Sequence, residues 1–131
     1  MKGERASSSS PSRASNAETF TFSNLVSVIG YKLTAYIGRS TKIHTVGDWL
    51  QNSLTPDVEQ RMRTTVEVVA PIAAVESEPI AQSFLIGQWK ETGVFRSPAQ
   101  MLREADVETA RSVLIRLAAS EFLSNEVANS L

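Results

Sequence analysis

A chain of 131 residues that is 42% apolar is long enough to bury a stable interior, as one ordinary domain or as two small halves sharing a core. It has no cysteine and one histidine, which excludes disulfide frameworks and cysteine-type zinc sites and makes a structural metal unexpected. The net charge is only −1, but residues 1–66 carry eight Lys/Arg against five Asp/Glu and residues 67–131 carry five against nine, a basic front and an acidic back that suit a nucleic-acid face joined to a second function. No apolar run approaches the ~20 residues of a membrane span. Lys2 and Arg5 are followed by serines instead of an apolar stretch, which argues against a secretory leader. A soluble, cytoplasmic protein without a membrane partner is expected.

Residues 1–19, with Ser7-Ser8-Ser9-Ser10-Pro11, have too little apolar content to offset their ordering entropy and read as a disordered tail. From Ser23 as N-cap, Leu25, Val26, Val28, Ile29, Leu33, Tyr36 and Ile37 recur at helical spacing and predict one helix ending near Gly38. Past Ser40 or Thr41 as a cap, Ile43, Val46, Trp49 and Leu50 anchor a short second helix whose outward residues are Lys42, His44, Thr45 and Asp48. Thr55-Pro56 starts a third helix, with Glu59 placed to complete a capping box and Pro71 placed to bend or stop it. A fourth runs from Ser77 to about Gln88, burying Ile80, Phe84 and either Leu85 or Ile86. Glycines 87 and 93 bracket a loop, Ser97-Pro98 caps a short fifth helix, and residues 107–124 carry a sixth of strong period. The pattern predicts an all-α fold: a helix-turn-helix part over residues 20–75 and a small partner-binding helical bundle over residues 76–131.

No catalytic constellation emerges. His44 lies four residues before Asp48 on one helix face and reads as a solvated or DNA-facing pair, and the scattered glycines form no phosphate-binding or dinucleotide fingerprint. Glu76/Glu78 and Glu104/Asp106 read as helix-start charges. Neither an enzyme nor a cofactor is expected.

Leu33 to Leu50 has the form of a helix-turn-helix, in which the second helix enters the major groove of duplex DNA and the first braces the backbone. The DNA-binding candidates are Arg39, Ser40, Thr41, Lys42, His44 and Thr45, all able to contact phosphates or base edges. In the loop, a protruding Trp89 beside Lys90 and Arg96 would be an anchor for a protein partner. The partner-binding set is Trp89, Lys90, Phe95 and Arg96; the alternative for Phe95, and for Trp89, is folding back onto the fifth and sixth helices.

Four features stand in order: Thr45-Val46-Gly47-Asp48-Trp49; the Arg-containing helix around Val58-Glu59-Gln60-Arg61-Met62-Arg63; a helix running from Phe84 into the loop; and Ser97-Pro98-Ala99-Gln100-Met101-Leu102-Arg103-Glu104-Ala105-Asp106 with the last helix. This order resembles the Xre/MbcA/ParS-type antitoxin family, especially its actinobacterial relatives, over most of the predicted folded chain. Two departures stand out: a longer turn between Gly38 and Val46, and Gln88-Trp89-Lys90 where relatives carry an Asn-Pro-containing stretch. The resemblance implies a homodimer that represses its own operator and a C-terminal half that plugs the cleft of a RES-domain toxin that consumes NAD. A stand-alone helix-turn-helix repressor of the prophage-immunity kind, without a toxin, is the first alternative, and a protein-only adaptor the second.

Overall fold

A computed structural model describes residues 20–42, 44–52 and 54–123. Among them every regular element is helical, and the all-α expectation holds. The elements are α1 (Phe22–Ile29), α2 (Tyr31–Ile37), α3 (His44–Gln51), α4 (Pro56–Val75), α5 (Glu78–Ile86), α6 (Pro98–Glu104) and α7 (Val107–Ala118). A 3₁₀ turn at Lys90–Thr92 precedes α6, and a π-helical turn at Ala119–Leu123 follows α7. No helix among the described residues is long and apolar enough to cross a membrane. The expected tail, residues 1–19, and the expected anchor Ile43 lie outside the described residues.

The helix expected from Ser23 to Gly38 is two helices. Thr21, not Ser23, caps α1: its Oγ1 accepts from Asn24 N at 3.3 Å, and Asn24 Oδ1 accepts from Thr21 N at 2.8 Å, a reciprocal box. At Gly30 the backbone turns to φ 89°, a region glycine enters without steric cost. Its N–H closes α1 on Val26 O at 2.8 Å, while its carbonyl opens α2 by accepting Thr34 N at 3.1 Å and Thr34 Oγ1 at 2.7 Å. The apolar period continues across the break because both helices bury the same side of the chain, which is why spacing alone merged them.

α4 starts as expected, with Thr55 Oγ1 accepting from Val58 N at 3.4 Å, but Glu59 pairs with Arg63 at 2.8 Å and leaves the capping box unmade. The helix continues past Pro71 to Val75. An interior proline costs about 3 kcal/mol. Val68, Val69 and Ile72, at most 1% exposed, each return roughly 1.5–3 kcal/mol, enough to carry the helix through. On α5 the inward stripe is Ala81, Phe84 and Leu85; Ile80 is 38% and Ile86 63% exposed, so the expected burial of Ile80 is corrected. Ser97 and Asp106 cap α6 and α7 through Gln100 N at 3.1 Å and Thr109 N at 3.2 Å. Of the four acids read as helix-start charges, Glu78 and Asp106 stand at starts, whereas Glu76 and Glu104 stand at helix ends.

α4 is the central strut and packs on α1, α5, α6 and α7. One core joins Leu25, Val28 and Ile29 of α1 and Met62, Val69 and Ile72 of α4 to Phe84 and Leu85 of α5, Leu102 of α6 and Leu114 and Leu117 of α7. Residues on both sides of position 75 therefore share one interior. A small second cluster, Val26, Ala35 and Val46, holds α3 against α1 and α2. Trp49, expected on the core side of α3, packs on both clusters with its indole half-buried.

Candidate nucleic-acid interface

The chain leaves α2 through a tight turn. Ser40 N–H returns to Ala35 O at 2.8 Å, and Arg39 takes φ 68°, a left-handed conformation a non-glycine residue holds at a cost of order 1–3 kcal/mol. Ser40 Oγ accepts from Lys42 N at 3.1 Å, tying down the start of the next segment, and Thr45 N–H donates to Lys42 O at 3.2 Å. α3 begins at His44, after the hydroxyl-bonded turn of Ser40 and Lys42. With Val46 fully buried beneath it, α3 turns His44 and Asp48 to solvent; Arg39, Thr41 and Lys42 are exposed as well, whereas Ser40 and Thr45 are half-buried. His44 and Asp48 form no ion pair with each other.

Arg39 is also an internal fastener. Its Nε donates to Arg103 O at 2.8 Å, while Arg103 Nη1 donates back to Tyr36 O and its guanidinium lies 4.7 Å over the Tyr36 ring. Each arginine thus satisfies a carbonyl near the other's helix end. A third arginine, Arg61 on α4, is 7% exposed and donates through Nη1 to Leu102 O at 2.7 Å and Ala105 O at 3.2 Å. Three carbonyls at the α6 terminus are therefore held by two arginines from the N-terminal half. Beside this junction an open groove of about 520 Å³ is lined by Lys32, Ala35, Tyr36, Ser40, Thr41 and Arg103.

Lys32, Tyr36 and Arg103 were not legible as site residues in the sequence. Arg103 in the last turn of a capped helix signals an interaction with terminal carbonyls. Its partner, however, is Tyr36, 67 residues away, and no local pattern points there.

The charges around this turn are unbalanced. On α4 and α7, Arg61, Arg63 and Arg111 pair with Asp57 at 3.4 Å, Glu59 at 2.8 Å and Glu67 at 2.6 Å. The Glu67 hydrogen bond, and then its charge, raises the Arg111 pKa above its ordinary value. Lys32, Arg39, Lys42 and Arg103 have no carboxylate partner among the described residues, and neither do Lys90 and Arg96 of the loop or Arg116 of α7; the first four are grouped about the turn and its groove.

The loop after α5 closes on itself. Trp89 Nε1 donates to Phe84 O at 3.0 Å and its ring stacks obliquely on Phe84, centroids 5.5 Å apart, leaving the indole half-buried. Buried Thr92 sets Oγ1 within 2.7 Å of Trp89 O and 3.1 Å of Phe95 O, which fastens the 3₁₀ turn. Phe95 is half-buried against the core, as its folding-back alternative expected. Lys90, Val94 and Arg96 remain exposed, Val94 at 94%, and they share one shallow cavity with Trp89 and Phe95. Loop and turn flank opposite ends of α6, whose seven residues span about 10 Å.

No family model, curated protein or solved structure matches this chain.

Proposed function

We propose that this protein is a DNA-binding regulator of the antitoxin type, taking duplex DNA on the α2–turn–α3 surface and a protein partner on the 88–96 loop. The observation that carries the DNA half is the grouping of Lys32, Arg39, Lys42 and Arg103 about the α2–α3 turn and the adjoining groove, none of them with a carboxylate partner among the described residues. Cations whose charge no internal carboxylate neutralises gain most from a polyanion, because each phosphate they neutralise releases condensed counterions. α3 supports the same reading: Val46 and Trp49 hold one side against the body, while His44 and the preceding Lys42 face outward at the end where backbone N–H groups favour phosphate. A homodimer would repeat this surface and set a half-site spacing.

The protein-partner half rests on the resemblance of the Ser97–Asp106 string and on exposed Lys90, Val94 and Arg96; a RES-type toxin is the partner that resemblance implies. A toxin-free repressor is the second reading, favoured by one observation: Trp89 spends its indole N–H on Phe84 O and is not a projecting anchor.

Binding to duplex DNA from upstream of the chain's own gene, followed by fluorescence anisotropy across a salt series, tests the DNA half. The affinity should fall steeply with salt, and Lys42→Ala should reduce the slope by about 0.9 per lost phosphate contact. Lys42 is a cleaner probe than Arg39, which also holds Arg103 O. Absence of duplex binding at low salt would reject this half.

A further inference from the structure

Resting on that DNA-binding reading, we infer that the groove between α2 and the end of α6 is a phosphate seat, in which Lys32, Thr41 and Arg103 hold one phosphate group beside the start of α3. The site crosses between the two halves of the chain, so the DNA-contacting surface includes a residue of the C-terminal half.

Donors suited to an anion line this groove. Arg103 is half-buried, and its guanidinium is located by the Tyr36 ring at 4.7 Å and by the bond from Nη1 to Tyr36 O. A guanidinium has five N–H donors in a planar fork. One is spent on Tyr36, and the remainder belong to a side chain that lines the groove. A fixed fork suits phosphate, since little rotamer freedom is lost when the anion arrives. Lys32 stands one helical turn before Tyr36 on α2 and adds a mobile point charge from the groove's other wall.

Thr41 completes the donor set. Neither its hydroxyl nor its backbone N–H has a hydrogen-bond partner among the described residues, while the neighbouring Ser40 hydroxyl is engaged with Lys42. The helix-end carbonyls nearby, Tyr36 O and Arg103 O, would repel an anion if bare. Both accept arginine donors, from Arg103 and Arg39, which removes that repulsion. Thr41 directly precedes exposed Lys42, and exposed His44 starts α3, so the groove adjoins the DNA-binding candidates in the chain.

The phosphate could belong to duplex DNA or to a free phosphate compound, and two titrations of the full chain separate the sources. In the first, a mixed-sequence duplex is titrated across a salt series against wild type, Lys32→Ala and Arg103→Lys. Lys32→Ala is expected to lower the salt slope by about 0.9, and Arg103→Lys to weaken binding although it keeps the charge. In the second, inorganic phosphate is titrated while the Thr41 amide resonance is followed, with Lys32→Ala as control.

If Lys42→Ala weakens duplex binding while Lys32→Ala does not, and phosphate leaves the Thr41 amide unmoved, the phosphate seat is overturned and the DNA-binding reading stands. If wild type binds no duplex yet phosphate shifts the Thr41 amide in a Lys32-dependent way, the DNA reading fails and the groove stands as a site for a small phosphate compound.

Discussion

The indole of Trp49 lies so close to the Cα of Gly38 that any Cβ there would run into Cη2 and sit 2.8 Å from Cζ3. Gly38 has an ordinary negative φ of −80°, so its role is to let α3 close onto the end of α2, and the left-handed residue of the turn is its neighbour Arg39. Gly38→Ala should therefore destabilise the protein by about 1–3 kcal/mol through overpacking. In a Trp49→Leu background the same alanine should cost much less, and a urea double-mutant cycle reads the difference. Equal costs in both backgrounds would show that the indole is not what the glycine accommodates.

Arg61 ties the central helix to the end of α6. Removing its guanidinium leaves Leu102 O and Ala105 O without that donor at a site closed to water, and unsatisfied buried polar groups cost roughly 1–3 kcal/mol each. Arg61→Met is expected to lower unfolding stability by about 3 kcal/mol, measured by chemical denaturation. A loss below about 1 kcal/mol would mean that water or a local shift of α6 restores those bonds.

Trp89 and Val94 should behave oppositely. Trp89→Ala removes a half-buried ring from Phe84 and should cost roughly 2 kcal/mol of stability, less than the 3–5 kcal/mol of a fully buried aromatic. Val94, 94% exposed, contributes little to the fold, so Val94→Asp should leave the thermal midpoint within about 2 °C of wild type. In a purified pair with the product of the neighbouring gene, Val94→Asp should weaken any complex made through this loop. An unchanged complex would remove the loop from the interface.

Local signals with a local cause could be read directly from the sequence. The Thr55-Pro56, Ser97-Pro98 and Asp106 starts depend on side chains within three residues of the backbone they cap, and the apolar period of α7 depends on its own spacing. Of the outward set at the start of α3, Lys42, His44 and Asp48 are exposed, because burial of Val46 dictates which side of that helix faces out, whereas Thr45 beside Val46 is half-buried. Three features were decided only in three dimensions. Gly30 divides one apolar stripe into two helices, since a stripe that stays on one side of the chain carries no mark of a change in backbone direction. Trp89 turns inward because Phe84 O lies within reach of its indole N–H, which no residue pattern around it encodes. The groove at Arg103 exists because the backbone carbonyls of Tyr36 and Arg103, far apart along the chain, each recruit an arginine from across the fold. Every residue has such a carbonyl, so only packing selects which two helix ends meet.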